Sequence, residues 1–386
     1  MKTKIINGKI LTPAGVLEGQ SIVFDEQILC VGEGDAEQVI DAKGGYVSPG
    51  FIDTHLHGGG GHDFMDGTEE AIVGAAECHL QHGTTTMYPT ALSSTKESML
   101  LFLEKLRQVK AQGLARANLP GAHIEGPYFS MEQRGAQNPD YIRGCDPAEY
   151  TQIVDAYPEL VKRWSFAPEV DGAVEFCRYL VEKGIVPSIA HSSAELSEVE
   201  AVYKEGCALI THLYSGMSSI VRKGGFRKLG VVESYYYLDE MYAEIIADGM
   251  HLPPELLRLI LKQKDGSYIC LVTDAMRGAG MPEGPSLLGS GAEAMPCIIE
   301  DGVAKLLDRT AFAGSVATAD RLVRVMATHT NVGIAGAVRM VTETPARLMG
   351  LKTKGRLEAG MDADILIFDE NINIQTVFVG GQKIEF

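Results

Sequence analysis

Pro49-Gly50-Phe51-Ile52-Asp53-Thr54-His55-Leu56-His57, followed by glycines at 58 to 61, is the stretch on which the fold turns. Its apolar start reads as a strand over 51–55 that ends on a histidine. His55 and His57 lie two apart, so in extended backbone their imidazoles face the same way. The glycines leave room for ligands to approach. Working outward, the same grammar recurs. Strand-like runs over 84–90, 119–125, 164–169, 186–191, 208–213, 244–248 and 269–274 close on or beside Thr90, Glu125, Glu169, His191, His212, Asp248 and Asp274.

Helical patterns lie between most of these runs. Over 97–109, Met99, Phe102, Leu103 and Leu106 fall at helical spacing, one buried face. Asp146-Pro147-Ala148-Glu149 reads as an N-cap, a proline in the first turn and an acid at N3, and Pro253-Pro254 opens a helix carrying Leu256, Leu257 and Ile260. Strands alternating with helices between residues 50 and 350 are what a (β/α)₈ TIM barrel needs, and a doubly wound open sheet is the competing arrangement. The two ends differ from the middle. Residues 1–48 read as short strands separated by turns, with Asn7-Gly8 as a hairpin turn between Lys4-Ile5-Ile6 and Lys9-Ile10-Leu11. Residues 351–386 repeat that pattern, so both ends are expected to meet in one small sheet domain beside a barrel of residues 49–350.

The chain has 386 residues and a formal charge of −17, with 45% hydrophobic and 22% charged residues, the balance of a globular enzyme and not of a disordered chain. The acidic excess leaves nothing to neutralise nucleic-acid phosphates or an anionic membrane. No apolar run reaches the roughly 18 residues of a membrane helix, and the lysine-bearing start lacks the apolar stretch of a signal peptide. The 7 cysteines are scattered with no Cys-x-x-Cys pair, which fits reduced thiols in a cytoplasmic protein.

In a barrel every strand's C-terminal end opens onto one face, so His55, His57, Glu125, His191, His212 and Asp274 are expected to converge in one pocket. Taken singly each has an ordinary account: a satisfied core histidine, a buried ion pair, a turn cap. Taken together they form a nitrogen and oxygen ligand set suited to zinc, iron or manganese. His251, a few residues past the 244–248 strand, is a candidate substrate contact or a plain loop histidine. His62, His79, His82, His123 and His329 read as structural. His79 and His82 fall in a helix's last turn, where a partly charged imidazole complements the dipole. Arg222-Lys223-Gly224-Gly225-Phe226-Arg227-Lys228 concentrates cations in an acidic chain and suits an anionic group such as a phosphate, if it is not merely a solvated face.

These motifs together resemble the amidohydrolase superfamily, and closely its N-acetylglucosamine-6-phosphate deacetylase family. The resemblance is carried by Pro49-Gly50-Phe51-Ile52-Asp53-Thr54-His55-Leu56-His57-Gly58, His123-Ile124-Glu125-Gly126-Pro127, Ala190-His191-Ser192-Ser193, Thr211-His212-Leu213-Tyr214, Ile246-Ala247-Asp248-Gly249-Met250-His251 and Leu271-Val272-Thr273-Asp274-Ala275. It implies a metal-bearing barrel with a small β-sandwich built from both termini, acting in a homodimer. It implies one or two divalent ions (Zn, Fe or Mn), held by Glu125, His191 and His212 and by His55 and His57, with Asp274 as catalytic acid and base. Glu125, standing where many superfamily members carry a carbamylated lysine, argues against dihydroorotase-like or hydantoinase-like enzymes. Substrate contacts are implied at Ala136, Gln137, Ser215, Gly216, Arg227, His251, Phe312, Ala313 and Gly314, the arginine reaching in from the neighbouring subunit. Alignment from the other side favours Arg222 or Lys223 for that role.

Three departures stand out. Gly135-Ala136-Gln137-Asn138-Pro139 carries a glutamine where the family has a histidine that polarises the acetyl oxygen. Tyr214-Ser215-Gly216-Met217 replaces the usual Tyr-Asn-Ala-Met, and the basic loop is longer. The expected reaction is hydrolysis of N-acetyl-D-glucosamine 6-phosphate to D-glucosamine 6-phosphate and acetate. The alternatives are the same chemistry on N-acetylgalactosamine 6-phosphate or an N-acyl amino acid, and a barrel scaffold without catalysis.

Overall fold

A computed structural model describes residues 1–291 and 294–386. Eight parallel strands form its centre: β1 (Phe51–Leu56), β2 (Thr84–Ala91), β3 (Ala122–Glu125), β4 (Val161–Phe166), β5 (Val186–Ile189), β6 (Leu209–Ile210), β7 (Tyr242–Ile245) and β8 (Ile269–Leu271). They neighbour one another in sequence order. A doubly wound sheet would reverse its order at a switch point, so that alternative is excluded. The sheet nearly closes on itself: at the C-terminal end of β1 and just past β8, Asp274 N donates to His55 O at 2.9 Å and His57 N to Ala275 O at 2.7 Å. The chain is a nearly closed (β/α)₈ barrel.

Helices cover the outside where the apolar periodicity places them. Lys96–Gln112 starts at Thr95, whose side chain accepts from Ser98 N, buries Met99, Phe102, Leu103, Leu106 and Val109, and stops at Gly113 with φ 63. Asp146 caps Pro147–Ala156, with the proline in its first turn as expected. In Pro254–Gln263 the buried residues are Leu257 and Ile260, while Leu256 is only partly covered. The barrel lumen, by contrast, is polar. Thr54, Arg163, Ser165, Ser188, Thr211 and Glu244 are buried there and bonded to one another.

Both termini feed one sheet. Its order runs Gln382–Lys383, Ile374–Val379, Ile365–Phe368, Tyr46–Pro49, Lys9–Thr12, Gly15–Leu17. A second, four-stranded sheet joins Ile28–Val31, Ile22–Phe24, Thr3–Ile6 and Gln38–Asp41. Ile5, Ile10, Phe24, Val47, Ile365 and Phe378 share the core between them. The expected Asn7-Gly8 hairpin is corrected here. Thr3–Ile6 and Lys9–Thr12 lie in different sheets, so the dipeptide carries the chain from one sheet to the other. Asn7 takes the left-handed conformation, φ 57, and a Cβ on Gly8 would sit 2.5 Å from Val47 Cγ2, so the crossing is as selective for these residues as a hairpin turn. An antiparallel sheet of Gly284–Leu288, Met295–Glu300 and Val303–Leu306, unforeseen from the sequence, follows β8. Among the described residues no helix is long and apolar enough to cross a membrane, and all seven cysteines are free.

Candidate metal centre and active site

Three of the expected strands stop short of their functional residues. β5, β6 and β8 end at Ile189, Ile210 and Leu271, and His191, His212 and Asp274 follow with φ of 45, 30 and 47. Left-handed backbone is unfavourable for residues with a Cβ, and here it turns each side chain back over the barrel mouth. His55 and Glu125 remain inside β1 and β3.

The side chains meet. Glu125 Oε1 lies 3.0 Å from His212 Nε2, 3.3 Å from His191 Nε2 and 3.5 Å from His55 Nε2, and Oε2 lies 3.3 Å from His57 Nε2. His55 and His57 bring their Nε2 atoms within 3.2 Å, and Asp274 Oδ1 is 3.1 Å from the second and 3.4 Å from the first. Ligands about 2.1 Å from one ion stand about 3.0 to 3.4 Å apart in octahedral or tetrahedral geometry. The separations here match that spacing. Two ligand triads result, His55–His57–Glu125 and Glu125–His191–His212, with Glu125 common to both.

The electrostatics ask for a cation as well. Burial alone would raise the carboxyl of Glu125, but His55, His191 and His212 around it bring it well below its ordinary value. Asp274 is likewise lowered, burial being outweighed by His55 and His57. Burial disfavours charge on His55 and His57, yet the charges of Asp274 and Glu125 push them up to about 9 and about 10. The buried acids therefore need positive charge beside them, and a divalent ion supplies it when those protons leave.

Around the cluster lies a cavity of about 230 Å³. Of the expected substrate contacts, Ala136, Gln137, Ser215, Gly216, His251, Phe312 and Gly314 line it. Ala313 does not; it is buried in a small core with Met276 and Leu288. Arg227 does not line this cavity either, because Val221–Lys223 and Phe226–Lys228 form an exposed hairpin.

Residues 46–384 match the profile of the Amidohydrolase family. The chain belongs to the amidohydrolase family. Among relatives, it is 31% identical to N-acetylglucosamine-6-phosphate deacetylase of Danio rerio, covering 98% of this chain and 91% of that one. It is 28% identical to N-acetylgalactosamine-6-phosphate deacetylase of Escherichia coli O157:H7, covering 98% of each. The crystal structure of N-acetylglucosamine-6-phosphate deacetylase from Pasteurella multocida superposes with a TM-score of 0.91 at 28% identity, covering 100% of both chains.

Several residues of this amidohydrolase act differently from the sequence reading. Gln137 is committed at both ends of its amide: Oε1 accepts from Ser93 N at 2.9 Å and Nε2 donates to Glu125 Oε2 at 2.8 Å. It braces Glu125 through one of its two amide hydrogens. His79 is not a charged helix-end residue. Burial pushes it down to about 4, and its Nε2 meets Gly58 O at 2.9 Å, tying the helix Glu69–Gln81 to the turn after His57. Asp248, unassigned as a site residue in the sequence reading, accepts from the backbone N–H of Met250 and His251 at 2.8 Å and holds His251 Nδ1 at 2.9 Å. An acid three residues before a histidine was the available signal, because such turns bond their own backbone. Leu288 also lines the cavity, from the inserted sheet, and nothing in its local pattern announced that.

Proposed function

We propose that this chain hydrolyses the acetamide of N-acetyl-D-glucosamine 6-phosphate, giving D-glucosamine 6-phosphate and acetate. The observation that carries the reading is the convergence of Glu125, His191, His212, His55, His57 and Asp274 at one barrel mouth in an amidohydrolase whose relatives include that deacetylase. Glu125, His191 and His212 would hold one divalent ion, and His55, His57 and Glu125 a second; zinc, iron and manganese all suit these donors. A divalent ion bound there acidifies a water and draws electrons from an amide carbonyl.

The chain's own groups do the rest. Asp274, kept ionised by the imidazoles beside it, starts as the base: it takes the proton from attacking water and passes it to the departing amine as the C–N bond breaks. Gln137, turned onto Glu125, would meet charge on the acyl oxygen only through the second hydrogen of its uncharged amide, so cations held at Glu125 would supply most of that stabilisation. His251, oriented by Asp248 and flanked by Phe312 at 4.8 Å between ring centres, faces the sugar phosphate from this subunit. Arg227 and Arg222 reach the phosphate from the neighbouring subunit of a homodimer. Unpaired cysteines support a cytoplasmic setting. The terminal segments, 1–48 and 351–386, form the small domain that packs beside the barrel of residues 49–350.

A second reading has its own support. The Escherichia coli relative acts on the galactosamine epimer, and Gln137 with Ser215-Gly216 departs from the glucosamine pattern at the sugar-facing wall. Acetate release from both 6-phosphates, and from the unphosphorylated sugars, separates the readings. Greater kcat/KM on the glucosamine form supports the main one. Faster turnover of the epimer would replace it, and no metal-dependent acetate from any of them would end both.

A further inference from the structure

A buried ion pair lies directly under the metal cluster, and none of the chemistry above uses it. Arg163 of β4 and Glu244 of β7 are both inaccessible to solvent. The guanidinium is fully bonded. Nη1 and Nη2 clasp the two oxygens of Glu244, Nη2 at 2.7 Å; Nη2 also donates to Thr211 Oγ1 at 2.8 Å, Nε to Ser188 Oγ at 3.1 Å and Nη1 to Thr54 O at 3.1 Å. Thr54 Oγ1 adds a bond to Glu244 Oε1 at 2.6 Å. Glu244 Oε2 is the less occupied oxygen, and it faces His55 Nδ1 at 3.5 Å. His55 Nδ1 has no closer partner.

Burying such a pair costs desolvation that branched apolar residues, the usual filling of a barrel, avoid. Stability alone therefore gives no reason for it. The four imidazoles are also backed unequally. His191 Nδ1 meets the Gln133 carbonyl at 2.8 Å, His57 Nδ1 meets the Thr90 carbonyl at 3.3 Å, and His212 Nδ1 has no partner. Among these ligands, His55 alone has a carboxylate behind it.

We infer that Glu244 is a positioning residue for the His55–His57–Glu125 cation site, with Arg163 holding its carboxylate in place. The carboxylate receives His55 Nδ1–H, which leaves the Nε2 lone pair facing His57 and Glu125 and makes the imidazole a stronger donor. The network thus favours occupation of the second cation site specifically. The site built on His191 and His212 does not touch it. This inference rests on the metal-dependent reading above.

The test replaces both charges together, so that neither is left unpaired. The wild-type chain and the Arg163→Met/Glu244→Leu variant are loaded with zinc, desalted and assayed by elemental analysis, with affinities from chelator competition. Wild type is expected to hold two ions, and the variant to retain one while its affinity for the other drops about 10- to 100-fold. If that variant fails to fold by circular dichroism, Arg163→Met/Glu244→Gln, which keeps a neutral acceptor, is read in its place with a smaller loss in the same direction. Two ions at unchanged affinity in a folded variant would overturn the inference, as would equal weakening of both sites, the mark of a purely structural role. One ion in wild type would overturn it while leaving the hydrolase reading intact. A wild-type chain that binds no zinc would overturn both.

Discussion

Asp274 is largely covered, its side chain 13% exposed, and its position decides what its loss should do. It stands beside the imidazoles of His55 and His57 but is not one of the grouped triad residues. Asp274→Asn should therefore lower kcat by about 10²- to 10⁴-fold, the range of a general acid–base group, while elemental analysis still finds bound metal. His79 makes a different prediction, about pH. Its folded form stays neutral down to about 4, whereas an unfolded imidazole takes up a proton near 6.5. The unfolded chain thus binds more protons between those values, and stability falls as pH falls through that window. By this linkage His79→Gln should remove about 2 kcal/mol of the stability loss between pH 7 and pH 5, read from urea midpoints. At this scale the convergence of ligand-type residues was legible in the sequence only as a set, because one imidazole or acid closing an apolar run has an ordinary account and several closing neighbouring barrel strands share none. Gln137 was not legible. Its residue type admits any hydrogen-bond direction, and only packing against Ser93 and Glu125 selects one.

The basic hairpin is an element whose register carries a prediction. Arg222 pairs directly with Arg227, so the two guanidinium groups share one face of a two-stranded ribbon. Like charges placed opposite each other are destabilising, and an anion between them reverses the sign. Lys223 and Lys228 turn instead to Glu195, at 2.5 and 3.5 Å. Arg222→Ala and Arg227→Ala should each raise KM for the 6-phosphate about tenfold or more, the scale of one lost charge-assisted contact, and leave the unphosphorylated sugar unchanged. Mixing Arg227→Ala subunits with Asp274→Asn subunits, assayed at substrate far below the raised KM, should give more activity than the sum of the two variants alone, because the hybrid dimer keeps one complete site; no gain would place the arginine within its own subunit. Elements were legible where periodicity and caps agree, as in Lys96–Gln112 and Pro147–Ala156. They were illegible where pairing is distant. Asn7-Gly8 has hairpin composition, yet sheet partners from residues 22 and 46 onward claim its two flanks. The inserted sheet after β8 shows no strict alternation, since its strands are largely half-covered.

For the molecule as a whole, the candidate metal centre draws on strands that are far apart in the chain. β1, β3 and the segments after β5 and β6 all contribute ligand-type residues, so cations held there bind the folded state alone. Removing metal with a chelator should lower the thermal midpoint, and adding zinc back should restore it, with a gain of about 2.7 kcal/mol when free metal is a hundred times its dissociation constant. A chain that melts identically with and without metal would contradict the centre described here. The sheet shared by the two termini carries another consequence, one of manufacture. Tyr46–Pro49 is flanked by Lys9–Thr12 on one side and by Ile365–Phe368 on the other. A ribosome releases the second neighbour only after the whole barrel has been made, so until then the nascent polypeptide carries a naked hydrogen-bonding margin. Premature termination after the barrel would leave that margin permanently bare, so such fragments should clump or be degraded in the cell even with every ligand-type residue already translated.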